Sequence, residues 1–235
     1  MQFDDLSQYE VFQGFLSLIF VIIAIILGIK IILKSLSLKK KEYIPIGLAL
    51  IFLSSPWWGV CFSFLSIIFF NYAIETVFYM ILQNAFIPIA LICWIYTYCI
   101  LISPRFKSVI LITYFGICIL YEIIFFIFLY ISPNLIATQE STFHSRRTLF
   151  TLAFVIFAIL STVLTGIFFA MRTFESIDPK IQLKGKFLLI AFISFSIGAF
   201  LDAIVPRIPG LLIIVRLILV SSAIEYYLGF FLPTK

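Results

Sequence analysis

Five ionisable side chains fall in or at the edge of long apolar runs of this sequence: Glu75, Glu122, Asp202, Arg216 and Glu225. A charge among apolar neighbours is costly unless it is paired, hydrogen-bonded or wet, so each is a candidate for binding, proton coupling or structural pairing. Helical spacing sorts them onto faces. Glu75, Tyr79 and Gln83 recur every fourth residue with Asn84 beside them, and Tyr114, Cys118 and Glu122 keep the same spacing. At about 1.5 Å of rise per residue, Gln83 and Glu122 share a depth of roughly 13 Å from the end near Glu75. A carboxylate and two amides can form one small polar site there, or serve as hydrogen-bonding glue between helices.

Ser194, Gly198 and Asp202 also align at every fourth residue, and the short Pro206–Gly210 segment makes the last two helices antiparallel neighbours. This predicts an Asp202–Arg216 ion pair. The pair can simply fix the helical hairpin, or it can wall an anion site with His144, Arg146, Arg147 and Arg207 at its outer mouth. Glu225 lies nine residues beyond Arg216, about half a turn round the helix in projection, so the two do not pair. It shares a face with Ser222 and Gly229, needs another partner, and is a candidate coupling carboxylate. Ala158, Thr162, Gly166 and Ala170 form a small-residue face for close packing within the bundle or between copies.

Familiar catalytic sets are missing. The sequence holds one histidine and four cysteines, the latter (Cys61, Cys93, Cys99, Cys118) all inside apolar runs. A lone histidine cannot build a multi-histidine zinc site or bis-histidine haem ligation. There is no HExxH, GxSxG, P-loop or GxGxxG, and the SxxK match at Ser37–Lys40 lies in a lysine-rich loop. The expectation is a non-enzyme with no catalytic residues, no metal ligands and no cofactor. A lipid-modifying enzyme, using acidic groups with arginines on a head group, is the least supported class.

The elements that must position these groups follow from composition. Of 235 residues, 63% are hydrophobic and 11% charged, against about 25% charged in a soluble domain. The fold expected is all-α: a polytopic transmembrane helix bundle of seven spans, forming one domain over 1–235. The spans fall at about 11–33, 44–70, 74–102, 109–131, 148–171, 187–205 and 211–232. The division at Asn71 is the weakest. The first run is too long for a signal-peptide core and is read as a retained span. Pro56 and Pro88 predict kinks that aid packing. The segment 132–147 reads as a solvated loop carrying His144.

Lysine and arginine orient the bundle. Twelve fall in the first, third and fifth connections, the end of the first run and the C-terminal tail, against three (Arg146, Arg147, Arg207) on the opposite side. Positive residues favour the cytoplasm, so the N-terminus is expected outside and the C-terminus inside. The net charge of +5 therefore reflects orientation and not nucleic-acid binding.

An odd span number and an outer cluster of ionisable groups point to a sensor or receptor-like module that binds a ligand from outside and acts on a cytoplasmic partner. One alternative is a small transporter or channel using Glu122 and Glu225, although the sequence shows neither an inverted repeat nor paired broken helices. Another is a structural subunit or scaffold. The partners expected are the lipid bilayer, a cytoplasmic protein and further copies or a membrane complex, in the plasma membrane.

Overall fold

Apolar runs too long for strands satisfy their backbone internally as helices, and the computed structural model, which describes residues 6–204 and 208–231, is built from them. The helices are α1 (Gln8–Ser37), α2 (Ile44–Leu53), α3 (Trp58–Phe70), α4 (Thr76–Asn84), α5 (Ile87–Leu101), α6 (Lys107–Ile131), α7 (Leu149–Phe174), α8 (Pro179–Ile204) and α9 (Pro209–Phe231). Among the described residues they make seven helical segments long and apolar enough to cross a membrane, with α2–α3 and α4–α5 each forming one broken span. This is an integral membrane protein. α1 starts on a capping box, in which Ser7 and Glu10 satisfy each other's backbone N–H groups.

Both expected kinks are breaks. Pro56 sits in a 3₁₀ turn, Ser55–Trp57, between α2 and α3, and Pro88 lies in the first turn of α5, just after α4 stops. Proline lacks the N–H that would continue each helix. The two breaks meet in space: the Phe52 and Phe86 rings stack at 5.9 Å, and Trp58 lies 5.1 Å from Phe86. At the first break the Trp58 indole donates to Ser54 Oγ at 2.9 Å, and Ser54 donates to the Ile51 carbonyl at 2.7 Å. The expected absence of paired broken helices is thus overturned. The second and third spans part at Asn71, which adopts the left-handed conformation (φ 53°) that ends a helix cleanly.

The spans close a circuit in which α1 packs on α2, α2 on α5, α5 on α7, α7 on α8, α8 on α9, and α9 returns to α1. The fourth span, α6, leans on the outside of α5 and α7, burying only Cys118, Tyr121 and Phe125. Close crossings depend on small residues. A Cβ on Gly28 or Gly47 would come within 2.5 Å of the other's carbonyl oxygen, which fixes the α1–α2 approach. The small face of α7 packs inside the bundle, with Ala158, Thr162 and Ala170 buried and Gly166 directly against the Phe192 ring.

The segment expected as a solvated loop is a β-hairpin seated in the bundle. β1 (Ala137–Ser141) pairs antiparallel with β2 (His144–Arg147), opposing Ala137 to Arg147 and Gln139 to Ser145. Ile136, Ala137 and Phe143 are fully buried. The Gln13 amide donates to the Phe143 carbonyl at 3.0 Å, Ser145 donates to Gln83 Oε1 at 2.7 Å, and Thr151 donates to the Ile136 carbonyl at 2.8 Å. The hairpin therefore plugs one end of the bundle, and the lysine-rich connections gather at the other.

Candidate functional site

The site is assembled from α9 inward. Arg216 stands on the bundle-facing side of α9, and its Nη1 lies 2.7 Å from Asp202 Oδ1 on α8, with side chains 3% and 9% exposed. The contact is a charge pair without hydrogen-bond alignment, since neither Arg216 Nε nor Nη1 has an aligned acceptor. The guanidinium carbon is 5.7 Å from the centre of the Trp57 ring, a cation–π distance. Trp57 is held there by the break in the second span and by an edge contact with Phe20 at 4.9 Å.

A second guanidinium enters from the hairpin. Arg147 ends β2 and turns its side chain into a cavity of about 40 Å³ that it lines with Asp202, Trp57, Pro56, Ile87 and Leu91. The walls come from both helix breaks as well as α7 and α8, so irregular backbone faces a cavity instead of lipid. The volume is enough for a few water molecules, at about 10–15 Å³ of such volume each. Arg147 Nε is sequestered with no hydrogen-bond partner. Burial pushes its guanidinium below the usual arginine range, while Asp202, Tyr121 and Tyr79 pull it back up. Two arginines thus face one carboxylate. Around them the Tyr79 and Tyr121 hydroxyls and the Trp57 indole N–H are also buried without partners. Buried polar groups without partners are rare in proteins, and this arrangement can offer hydrogen bonds and positive charge to a small polar molecule.

His144 lies beside this centre, 9% exposed, with Nε2 3.7 Å from Glu140. Burial lowers its pKa below the ordinary histidine value, with Asp202 and Glu140 opposing and Arg216 and Arg147 reinforcing the shift. Arg146 points away and is exposed, so of the adjacent arginines only Arg147 joins the cavity. Arg207 lies outside the described residues.

The remaining expected groups disperse. Glu75 is exposed at the start of α4 and caps nothing with its side chain, whereas Tyr79 and Gln83 below it are buried. Gln83 spends its carbonyl on Ser145 of the hairpin. Asn84 turns its amide back to the Met80 carbonyl at 3.0 Å and leaves its own oxygen unpartnered. Glu122 keeps one carboxylate oxygen buried and unpartnered, and no hydrogen bond joins it to Gln83 or Asn84 among the described residues. The Tyr114 hydroxyl bonds Ser161 at 3.0 Å and Cys118 lies 3.9 Å from the Pro88 carbonyl, so that stripe seams α6 to α7 and α5. Glu225 finds its partners in two serines: Ser221 at 2.7 Å and Ser194 of α8 in close contact. Among the described residues no group of three or more His, Cys, Asp or Glu side chains converges as a metal site would need.

Sequence reasoning missed the hairpin and the role of Trp57. The hairpin's signal was the alternation of Ala137, Gln139 and Ser141 with Thr138 and Glu140. Trp57 carried only its position beside Pro56. No protein-family model, curated protein or solved structure matches the chain.

Proposed function

We propose that the protein is a seven-helix receptor-like membrane protein that holds a small anion on Arg147, in the cavity beneath the hairpin. In this reading the hairpin end faces outward and the lysine-rich end faces the cytoplasm, as the charge asymmetry favours. The observation that carries it is Arg147 Nε, buried without a partner in a cavity where Asp202, the one carboxylate among the described lining residues, already meets Arg216. An uncompensated buried cation is costly, and an anion that supplies acceptors removes that cost. The small cavity restricts the ligand to an inorganic anion or a short carboxylate. The reading is of a binding site, since Arg147 at its centre offers charge and hydrogen bonds. In this reading output passes to a cytoplasmic protein partner at the lysine-rich end.

Thermal unfolding of the protein in nanodiscs against chloride, phosphate, sulfate, formate and acetate tests this. A saturable rise in midpoint with at least one anion is expected, and a flat response to all five contradicts it.

A transporter is the second reading, favoured by one observation. The cavity shares Leu53 and Thr162 with a void of about 10 Å³ next to it, and that void shares Ile46 and Phe230 with a pocket of about 290 Å³ at the lysine-rich end. This chain of spaces avoids Glu122 and Glu225, so an anion path, if used, runs between arginine and lysine instead. Anion flux into proteoliposomes that disappears in Arg147→Gln would favour it over the receptor reading.

A further inference from the structure

We infer that the pocket at the lysine-rich end binds an anionic phospholipid from the adjacent leaflet, with an acyl chain inside and the phosphate on Lys34 and Lys184. The inference is independent of the anion site beneath the hairpin.

The pocket holds about 290 Å³ and lies where the ends of α1, α7 and α9 meet the starts of α2 and α8. That is near the lower bound of about 300 Å³ for small-molecule sites. Its floor is apolar, made by Ile31, Ile46, Leu188 and Phe230, and its rim carries Lys34 and Lys184. Lys184 is half-buried. Two nearby carboxylates are engaged elsewhere, Glu175 with Arg172 at 3.0 Å and Asp178 with the Lys180 backbone N–H at 2.9 Å, while Glu42 beside Tyr43 is exposed and does not line the pocket. Among the described residues none pairs with Lys34 or Lys184. Lys34 instead has its ammonium 5.3 Å from the Phe231 ring centre at the pocket wall.

An apolar cleft capped by unneutralised lysines matches a molecule with an apolar chain and an anionic head. A soluble anion would leave the floor empty, and an apolar molecule would leave the ammonium groups unmet. The depth agrees, because Lys34 closes a membrane-length helix, where a phosphate layer lies. Basic pockets between helices at the cytoplasmic surface are suited to acidic head groups.

The test is retention of lipid by the full chain in nanodiscs of phosphatidylcholine doped with phosphatidylglycerol, read by native mass spectrometry. With two lysines on the head group, a preference of about thirtyfold for the anionic lipid is expected. It should vanish in K34Q/K184Q, persist in K39Q/K41Q, whose lysines line the same end but not the pocket, and weaken when the lipid's chains are shortened to six carbons. Equal retention of both lipids, an equal loss in K39Q/K41Q, indifference to chain length, or full displacement by inorganic phosphate would each overturn the inference. Thermal midpoints of both double variants establish that each is folded.

Discussion

Arg216 Nη1 lies 2.7 Å from Asp202 Oδ1 across the α8–α9 seam, with the Trp57 ring 5.7 Å from the guanidinium carbon. One contact ties the sixth span to the seventh and the other ties both to the break in the second. The pair is therefore a structural clasp that also fixes Asp202, which lines the cavity that Arg147 enters.

Removing one partner of a buried pair strands the other. Asp202→Asn or Arg216→Met alone is expected to cost about 3–5 kcal/mol of stability, and the double variant to recover most of the loss. Denaturant or thermal unfolding in detergent measures this. Additive losses would show that the two charges do not depend on each other.

Glycine contacts give a steric prediction. Gly28→Val forces a side chain onto the Gly47 carbonyl, whereas Gly116 has nothing within 4 Å of a Cβ. The first is expected to destabilise the bundle by about 1–3 kcal/mol, and Gly116→Ala, in the interior of α6, to cost nothing or to stabilise it by up to about 1 kcal/mol. Equal midpoints for both variants would argue against the close α1–α2 crossing.

Acid should loosen the hairpin. Burial holds His144 neutral by lowering its pKa below 6.5. A lowered pKa contributes stability that is full above that value and is lost as pH falls through the folded-state pKa. Protection factors at 137–147, corrected for an intrinsic exchange rate that itself slows in acid, are expected to fall below pH 6.5, and His144→Gln should flatten that fall. Protection that does not change with pH in the native protein would contradict the burial argument.

The hairpin's anchor is equally testable. Gln83→Leu leaves the buried Ser145 hydroxyl without its acceptor, at an expected cost of about 1–3 kcal/mol. Exchange protection should fall at 143–147 while α7 remains protected.

The sequence made some of this legible and hid the rest for physical reasons. Span number and positions rest on apolar length, which is a strong signal, and the Asp202–Arg216 contact followed from a short connection that forces antiparallel neighbours. The prolines marked the right places, but a single residue does not say whether a helix bends or stops. That depended on Phe52, Trp58 and Phe86 meeting across the two breaks. The hairpin was hidden because its strands are short and polar, and its burial depends on groups far along the chain, Gln13 and Gln83. Glu122 and Gln83 share a depth by count, yet Gln83 is taken by Ser145, a contact that helical spacing cannot anticipate.

The most direct test compares the two adjacent hairpin arginines. Arg147 lines the cavity and Arg146 is exposed. Titration calorimetry in nanodiscs, with whichever small anion raises the unfolding midpoint, is expected to give affinity at least about tenfold weaker in Arg147→Gln, the equivalent of losing one charge-assisted hydrogen bond, and native affinity in Arg146→Gln. Equal affinities in both variants would contradict an anion site beneath the hairpin.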